Sequence, residues 1–546
     1  MTSDNFSVAC IGGGPGGLFA AITLATRLPG THVDVFERNR ADDVFGFGVV
    51  FSDATLDNID AVDPVLRDTL AVQGTHWDRI DVRAHGQSHS AGGNGMSAVH
   101  RRVLLDALRA RATELGAHIH YDTAVDVDAL ARSGGYDLIV AADGANSATR
   151  ERFVDSLDHS VEAASVKFIW FGTTFRFDGL TFLHRQSAHG NFAVHAYPIG
   201  SGLSTFIVET DEQTWRAAGL DEFDTSAPPG VSDEKTQRYL TDLFAADIDG
   251  HPLVANNSRW ANFRTRRTRR WHARTASNIP VVLIGDAVHT AHFSVGSGTK
   301  MAMEDAAALA DSVAAHPDDL DAAIADFESI RRPRVAHIQD SSVPSLSWWD
   351  HFGEYYRSLS PSQFSFHFFS RAISAEKIRR RDPGFVADVE SKWREEHGSD
   401  PLDTPLPLGD VLLRRRLLAT TAVAEDRLVL SDGAAELTAT AGPSSEPGRV
   451  VDAPAADVIT LAAADRRRLD EIAATTPAVV AVRGGTPLTR ALSSEYVRLR
   501  HRIPTVIVDS AASIRARRAV DERDNAATIV LSGRADALAY EPEARR

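Results

Sequence analysis

The stretch FSVACIGGGPGGLFAAITLATRLPGTHVDVFER, residues 6–38, decides the fold. Its apolar run Val8–Ile11 predicts a buried parallel strand, and the apolar pattern of Leu18–Arg27 predicts a helix. A second strand is predicted at His32–Phe36. Between the first strand and the helix lies a G-x-G-x-x-G turn, made by Gly12, Gly14 and Gly17 with Pro15 inside it.

This turn has the chemistry of a dinucleotide site. Glycines let the backbone approach a pyrophosphate, and the N-terminus of the following helix favours its negative charge. Glu37 ends the second strand, twenty residues after Gly17, where an acid accepts a hydrogen bond from a ribose hydroxyl. Because strand, turn, helix, strand and acid occur in this order, the stretch predicts a Rossmann dinucleotide-binding unit.

Three later features have the same character. Arg101 lies at the head of a predicted helix, where it either meets an anion or is only solvated. A buried strand at Leu138–Ala142 ends in the turn Asp143-Gly144. A third apolar strand ends in Gly285-Asp286, and a glycine-rich loop then opens a helix near Gly298. A strand that ends in Asp-Gly is commonly only a turn, but the similar strand that ends in Gly285-Asp286 strengthens a functional interpretation.

The order of these motifs resembles the single-component FAD-dependent aromatic hydroxylases, over about residues 6–400. The resemblance implies an α/β fold, with a GR2-type Rossmann FAD-binding domain and an inserted antiparallel sheet that roofs the flavin. Because FAD is extended in that family, its ADP end and its flavin end need separate turns. The residues that the resemblance assigns to the cofactor are Gly12, Gly14, Pro15, Gly17, Glu37, Arg38, Arg101, Asp143, Gly144, Gly285, Asp286, Gly296, Gly298, Thr299 and Lys300.

The loop HTAHFSVGSGTK, residues 289–300, narrows the resemblance. The wider family usually has two prolines, a glutamine and a later asparagine where this chain has His292, Phe293, Ser297 and Lys300. The form found here resembles the branch that hydroxylates aromatic acyl-CoA thioesters. That branch implies reduction of FAD by NADH or NADPH and reaction with O₂ to a flavin C4a-hydroperoxide. Its distal oxygen then adds to the ring of a salicyloyl-CoA-like substrate.

The region of residues 161–280 alternates apolar and polar residues, with many β-branched and aromatic ones, and predicts antiparallel sheet. Period two places His195 and Tyr197 on one strand face, directed to solvent, to the core or to substrate. With His292 of the flavin loop, for which a purely structural role is the alternative, they are the candidates for catalysis that the resemblance implies. The sequence shows neither a catalytic triad nor metal-ligand spacing, which suits chemistry carried by a cofactor.

An arginine run, FRTRRTRRWHAR at residues 263–274, interrupts an otherwise acidic chain. Such a run is usually a solvated face. Arginine also binds phosphate bidentately, however, and a CoA ester carries several phosphate charges. Arg266, Arg267 and Arg269 are therefore the candidates for substrate binding.

The chain of 546 residues is long enough for several domains. We expect FAD-binding parts at 1–160 and 281–400, the second with a helical segment, the inserted sheet at 161–280, and a small α/β domain at 401–546. The last region resembles the opening and closing strands of an old-yellow-enzyme barrel. A full (β/α)₈ barrel needs roughly 250 residues, so we expect a shrunken remnant. Asp509 and Glu541 lie where a phosphate would bind, which indicates that it holds no flavin. A thioredoxin-like domain is the alternative.

Composition limits the partners. A net charge of −16 disfavours nucleic acid and anionic membranes, and the single cysteine fits a reducing compartment. Without a targeting signal or an apolar span of membrane length, we expect a cytoplasmic protein, a homodimer, that meets only small molecules and O₂. The alternatives are a hydroxylase of a free aromatic acid or amino acid, and a non-catalytic flavin-binding protein. The W-x-W-x-I-P motif of flavin-dependent halogenases is absent.

Overall fold

The computed structural model describes residues 6–541, except 225, 229, 425 and 443. The strands, in chain order, are β1 (Ser7–Ile11), β2 (His32–Phe36), β3 (Gly48–Ser52), β4 (Thr75–Trp77), β5 (Ile80–Ala84), β6 (Gln87–Ala91), β7 (Met96–His100), β8 (His118–His120), β9 (Leu138–Ala141), β10 (His159–Thr173), β11 (Leu180–Gln186), β12 (Asn191–Pro198), β13 (Ser204–Thr210), β14 (Leu253–Ala255), β15 (Ala261–Thr268), β16 (His272–Arg274), β17 (Pro280–Leu283), β18 (Leu406–Leu408), β19 (Val411–Leu413), β20 (Leu417–Val423), β21 (Arg427–Ser431), β22 (Glu436–Thr440), β23 (Gly448–Asp452), β24 (Val479–Arg483), β25 (Thr505–Asp509) and β26 (Ala537–Tyr540).

The α-helices are α1 (Pro15–Arg27), α2 (Asp53–Val62), α3 (Pro64–Gln73), α4 (Arg101–Glu114), α5 (Val127–Ser133), α6 (Ala148–Arg152), α7 (Val154–Leu157), α8 (Glu212–Ala217), α9 (Glu234–Leu243), α10 (Gly298–Ala315), α11 (Leu320–Ser358), α12 (Pro361–Phe369), α13 (Ala375–Arg381), α14 (Pro383–His397), α15 (Ala463–Ala474), α16 (Pro487–Glu495), α17 (Ala511–Ala516) and α18 (Glu522–Ser532). In the part of the chain that the structure covers, no helix is both long and apolar enough to cross a bilayer.

The chain forms two compact units. Unit 1 comprises Met1–Asp78, Asn94–Phe182 and Ala193–Ser342. Unit 2 comprises Arg79–Gly93, Leu183–Phe192 and Val343–Arg546.

The first sheet of unit 1 has the order β16-β17-β9-β1-β2-β8. Strands β1, β2, β8, β9 and β17 are parallel, and β1 and β9 are almost wholly buried, as apolar runs between helices require. Cys10 lies in the middle of β1, where burial and then the charge of Asp34 raise the pKa of its thiol to about 12. This sheet confirms the predicted Rossmann fold, including the helix α1 between the first two strands.

The second sheet of unit 1 is antiparallel, with strands in the order β14-β10-β13-β12-β11 and with β15 beside β10. Every residue of β12 and of β13 is buried, so the strand that carries His195 and Tyr197 presents neither face to solvent. The predicted antiparallel sheet is therefore confirmed, and an exposed face for those two residues is excluded. Strands β3, β7 and β4 form a smaller antiparallel sheet.

Unit 2 contains a closed barrel made by β20 to β26. Neighbouring strands from β22 to β26 are parallel, β26 is also parallel to β20, and only β21 runs antiparallel to both of its neighbours. A small α/β barrel is thus confirmed for the C-terminal region, and the thioredoxin-like alternative is wrong. A full (β/α)₈ barrel would have further βα units at this place. Here the antiparallel strand β21 closes the barrel instead.

The helices before the barrel pack on it through one apolar cluster, which includes Phe366, Val386, Trp393, Ile507 and Leu538. A buried polar network lies nearby. Glu495 accepts hydrogen bonds from the Tyr355 hydroxyl at 2.7 Å and from His367 Nε2 at 3.0 Å. Aromatic residues of α11 and α12 therefore help to hold these helices against the barrel of unit 2, through apolar packing and through hydrogen bonds to Glu495.

Candidate functional site

In the first glycine turn of unit 1, two of the three glycines occupy positions where a side chain would clash with the backbone. Gly12 has φ +106°, and a Cβ there would lie 2.4 Å from the carbonyl oxygen of Ala142. A Cβ on Gly17 would lie 2.0 Å from the Gly12 oxygen, so only glycine fits at this position in the first turn of α1. Gly14, the N-cap of α1, has nothing within 4 Å of an added Cβ. The turn is tight on its protein side and open at Gly14, as approach of a pyrophosphate requires.

Glu37 is fixed at the end of β2 by its own carboxylate. Oε2 accepts from the Gly13 backbone N–H at 2.8 Å, and Oε1 accepts from the backbone and side chain of Asn39 at 2.8 and 2.6 Å. These bonds hold the acid against the glycine turn and leave it further lone pairs for a hydroxyl donor. Arg38 is exposed beside it. The role of Asn39 was not predicted, although its proximity to Glu37 in sequence was a usable signal.

The Asp143-Gly144 turn follows β9, whose neighbour in the sheet is β1. Asp143 Oδ2 accepts from the Thr149 backbone at 3.1 Å, whereas its Oδ1 is buried with no hydrogen-bond partner in the described chain. Gly144 has φ +81° and open space at its Cβ position. Buried Arg150 donates to the Ala287 carbonyl at 3.1 Å and so joins this turn to the next one.

The Gly285-Asp286 turn is anchored from below by Asp305 of α10. Asp305 accepts from the Gly285 N–H at 3.0 Å, pairs with His289 Nε2 at 2.7 Å and with Arg331 Nε at 2.8 Å. Burial alone would raise the pKa of Asp305, but these partners outweigh it and lower the pKa. Asp305 was not predicted, because its partners come together only in the folded chain.

Asp286 itself is exposed to solvent, and no described group donates a hydrogen bond to its carboxylate. Desolvation by the surrounding protein raises the pKa of Asp286, while the positive charges of His289, Arg101 and Arg266 oppose that shift. The Arg101 guanidinium interacts in turn with Asp286 and Tyr197, and burial lowers its pKa. The structure thus brings Arg101, from the head of α4, to the second glycine loop.

The helix α10 begins at Gly298, as predicted. Before it, Gly296 has φ +61°, and the hydroxyl of Ser297 is buried without a partner in the described residues. Thr299 and Lys300 lie in the first turn, and Lys300 Nζ is 3.8 Å from Glu304. The N-terminal N–H groups of a helix carry partial positive charge, so this end favours an anionic group.

These features fit an extended flavin dinucleotide. Tight turns bring backbone close at Gly12 and Gly285, and open space lies at Gly14 and Gly144. Two carboxylate groups have oxygens without a protein donor among the described residues: the buried Oδ1 of Asp143, which would cost stability if left unpaired, and the exposed carboxylate of Asp286. A cofactor rich in hydroxyl groups would satisfy both.

Two of the three residues predicted for catalysis meet on one buried acid. His195 Nε2 of β12 pairs with Glu209 Oε1 of β13, and His292 Nε2 lies 3.8 Å from Glu209 Oε2. The ring centroid of Phe293 lies 5.2 Å from that of His195 and 4.2 Å from that of His292. We call His195, Glu209 and His292 the histidine–glutamate cluster. Glu209 was not predicted.

Tyr197 lies apart from that cluster. Its hydroxyl donates to the Gly48 carbonyl at 3.3 Å, and its ring stacks on Trp77 with centroids 6.1 Å apart. Burial raises the pKa of Tyr197 to about 12, partly offset by Thr205 and Arg101. The phenol is therefore protonated at neutral pH and lies near Arg101, on the cofactor side.

The structure divides the three predicted arginines. Arg266 is buried, with its pKa lowered by burial and by the nearby Arg150 and Arg264 charges, and it interacts with Asp286. Arg267 and Arg269 instead line a cavity of about 550 Å³ with Arg332. Arg267 pairs there with Asp340 at 3.0 Å, and exposed Arg269 with Asp158 at 3.4 Å.

Comparison with known proteins agrees with this geometry. Residues 5–342 match the family described as "FAD binding domain", and the chain belongs to that family. The fold is shared with 2-methyl-3-hydroxypyridine-5-carboxylic acid oxygenase, at 19% identity and a TM-score of 0.50 over 62% of this chain and 90% of that one. The protein is an FAD-dependent monooxygenase of the aromatic hydroxylase class.

Two curated relatives narrow the class. Salicyloyl-CoA 5-hydroxylase of Streptomyces sp is 50% identical over 97% of this chain and 98% of its own length. The 3-hydroxy-4-methyl-anthranilyl-[aryl-carrier protein] 5-monooxygenase of Streptosporangium sibiricum is 37% identical over 62% of this chain and 87% of its own. The similarity to the first relative extends through unit 2, beyond the residues that the family model matches.

Proposed function

We propose that this monooxygenase hydroxylates the aromatic ring of an aryl-CoA thioester, with NADH or NADPH as electron donor. The observation that carries the proposal is the 50% identity to a salicyloyl-CoA hydroxylase across almost the whole chain. The second relative is also named for an aryl group that is joined to a carrier. Both names favour a carrier-bound substrate over a free aromatic acid or amino acid.

The reaction consumes Ar–H, O₂, NAD(P)H and a proton, and yields Ar–OH, water and NAD(P)⁺. FAD supplies the reduction and oxygen chemistry when it is bound. This chain would hold its pyrophosphate at Gly12, Gly14 and Gly17 and its adenosine ribose at Glu37. Asp286 would accept from the ribityl chain, and the first turn of α10 would favour negative charge on the flavin ring.

The histidine–glutamate cluster would manage protons at the substrate. Replacement of a ring hydrogen releases a proton, and a neighbouring phenol or amine reacts faster after losing one. We propose His195 and His292 as the groups that exchange protons with the substrate. Glu209 is the positioning residue, because its buried carboxylate pairs directly with His195 and lies 3.8 Å from His292.

Glu209→Gln tests this assignment. We expect kcat to fall about 100-fold, because a neutral amide no longer orients and stabilises the imidazoles as they take up a proton. The pH profile of kcat should also shift, while the affinity for FAD stays within twofold. The control is Glu212→Gln, an exposed residue that pairs with Arg216 on α8. A loss of activity that follows lost FAD, with an unchanged pH profile, contradicts the role.

The cavity beside Arg267 and Arg269 supports a place for the phosphates of CoA. The third arginine there, Arg332, adds positive charge, while Asp158 and Glu328 also line the cavity. His289 also lines the cavity. Its hydrogen bond to Asp305 connects the cavity to the Gly285-Asp286 turn, because Asp305 also accepts from the Gly285 N–H. We therefore propose that Arg267 and Arg269 bind the phosphates of the CoA moiety. Arg266, which was predicted to bind substrate, is instead proposed to lie beside the cofactor.

The substrate class is tested by steady-state oxidation of NADH and of NADPH with matched pairs of free acid and CoA thioester. We expect kcat/KM for 2-hydroxybenzoyl-CoA to exceed that for salicylate at least 100-fold, with a hydroxylated aromatic product. Equal or higher kcat/KM for a free acid or an aromatic amino acid would contradict the proposal and favour a hydroxylase of free aromatic acids or amino acids.

A further inference from the structure

A polar group outside the flavin site lies at the edge of the Rossmann sheet. Strands β2 and β8 are parallel neighbours there, and β8 is the last strand of the order. In their register Asp34 pairs with His118 and Phe36 with His120. Because residues two apart on a strand share a face, His32, Asp34, His118 and His120 project from one side of the sheet.

Asp34 is the centre of this group. Its Oδ2 lies 2.9 Å from His32 Nε2, and its Oδ1 lies 2.8 Å from His120 Nε2 and 3.8 Å from His118 Nδ1. The Tyr136 hydroxyl donates to Oδ2 at 2.8 Å.

The geometry suits a metal ion. Ligand atoms of His32, Asp34 and His118 all lie within 4.8 Å of one another. In a tetrahedral site with bonds of ~2.1 Å, ligand atoms are about 3.4 Å apart. The distances from an Asp34 oxygen to His32 Nε2, 2.9 Å, and to His118 Nδ1, 3.8 Å, lie on either side of that value.

An ion can also reach this group. The side chains of His32, His118 and His120 are 48%, 63% and 45% exposed, whereas that of Asp34 is 11% exposed. The Asp34 carboxylate is thus mostly buried, and the three imidazoles lie between it and the solvent.

We propose that His32, Asp34 and His118, with His120 beside them, bind a divalent transition metal such as Zn²⁺. Imidazole nitrogens with one carboxylate and no thiolate suit Zn²⁺, Ni²⁺ or Cu²⁺, whereas Mg²⁺ and Ca²⁺ need oxygen ligands. The site is separate from the flavin turns and does not depend on the substrate.

A bound ion would join β2, which leads directly into Glu37, to its neighbour β8. The Glu37 backbone N–H donates to the His120 carbonyl at 2.8 Å, directly after β2. Because a metal that binds only the folded chain stabilises it, Zn²⁺ should raise the thermal midpoint of the holoenzyme.

The test is calorimetric titration of tag-free holoenzyme with ZnCl₂ and, separately, with MgCl₂. We expect one Zn²⁺ per chain, no saturable Mg²⁺ binding, and a Zn²⁺ affinity more than about 100-fold weaker in the double variant His32→Ala, His118→Ala. The single variant His118→Ala tests the site without removing a short internal hydrogen bond, since its contact with Asp34 is 3.8 Å. It should weaken Zn²⁺ binding at least tenfold.

The matched control is His76→Ala, an exposed histidine 3.3 Å from one carboxylate, Asp53. It should leave Zn²⁺ affinity unchanged, and the flavin absorbance of each variant confirms that it is folded. Absence of saturable Zn²⁺ binding, or equal affinity in wild type and His118→Ala, overturns the proposal and leaves a hydrogen-bonded network alone.

Discussion

Asp286 of unit 1 and Asp509 of unit 2 both lie at the carboxyl end of a buried parallel strand. No described group donates to the Asp286 carboxylate. Asp509 is saturated: Arg490 binds its Oδ1, and Asn525 Nδ2 donates to its Oδ2 at 2.9 Å. The difference teaches how to tell a ligand site from a filled one. We infer that the Asp286 carboxylate is available to a ligand, whereas the Asp509 carboxylate of the barrel is occupied by Arg490 and Asn525.

The largest expected difference is in flavin content. Asp509 and Arg490 bind each other at the end of the barrel, and the carboxylate would repel a phosphate, so we expect one FAD and no FMN per chain. Chromatography of the flavin released by denaturation measures both. FMN near one equivalent would show that the barrel keeps a flavin site, and the comparison would fail.

Asp509→Ala should destabilise the fold and leave FAD in place. Removal of the acid leaves Arg490 buried without its charge partner, at a cost of about 3–5 kcal/mol in the free energy of unfolding. Chemical denaturation followed by far-UV circular dichroism measures it, and flavin absorbance reports on unit 1. The control is Asp452→Ala, since Asp452 pairs with Arg483 at a more exposed position. Loss of FAD together with this destabilisation would contradict the separation.

Asp286→Ala should have the opposite signature. A ribityl hydroxyl loses its acceptor, so FAD affinity should fall by about 1–3 kcal/mol, roughly 5- to 150-fold. Fluorescence titration of apo-protein with FAD measures it, and Asp57→Ala on the surface of α2 is the control. If Asp286→Ala purified fully yellow with unchanged affinity, the placement of the second turn would be wrong.

A site residue could be predicted from the sequence when the elements that position it are adjacent in the chain. Gly12, Glu37 and Asp286 are predicted because their strand, turn and helix are contiguous in sequence. Glu209 and Asp305 are not, because each acquires its role from partners on other elements. The same holds for Asp34, whose histidines come from two strands that only the sheet brings together, so no metal-ligand spacing was visible.

The barrel shows a second limit. Its closing strands β25 and β26 are recognisable because their sequence resembles a full barrel. The closure by β21 is not, because an antiparallel strand replaces the missing βα units and has no counterpart in the resemblance. Strand alternation alone predicts strands but not their order in a sheet.

The smallest expected effect concerns Arg267 and Arg269. Their double replacement by Ala should raise KM for an aryl-CoA thioester by about fivefold, because partly exposed charge pairs contribute about 1 kcal/mol. KM for the matching N-acetylcysteamine thioester should not change, and the difference should shrink at high salt. The control is Arg270→Ala with Arg274→Ala, in the same run but outside the cavity. Equal changes with both thioesters would leave the run as a solvated face.

The buried thiol of Cys10 has a practical consequence. It is the chain's single cysteine, and at neutral pH it is neither accessible nor ionised, so a maleimide dye has no native target in the folded protein. A cysteine placed at an exposed position such as Val72 or Leu412 can then be labelled selectively without first deleting a native one.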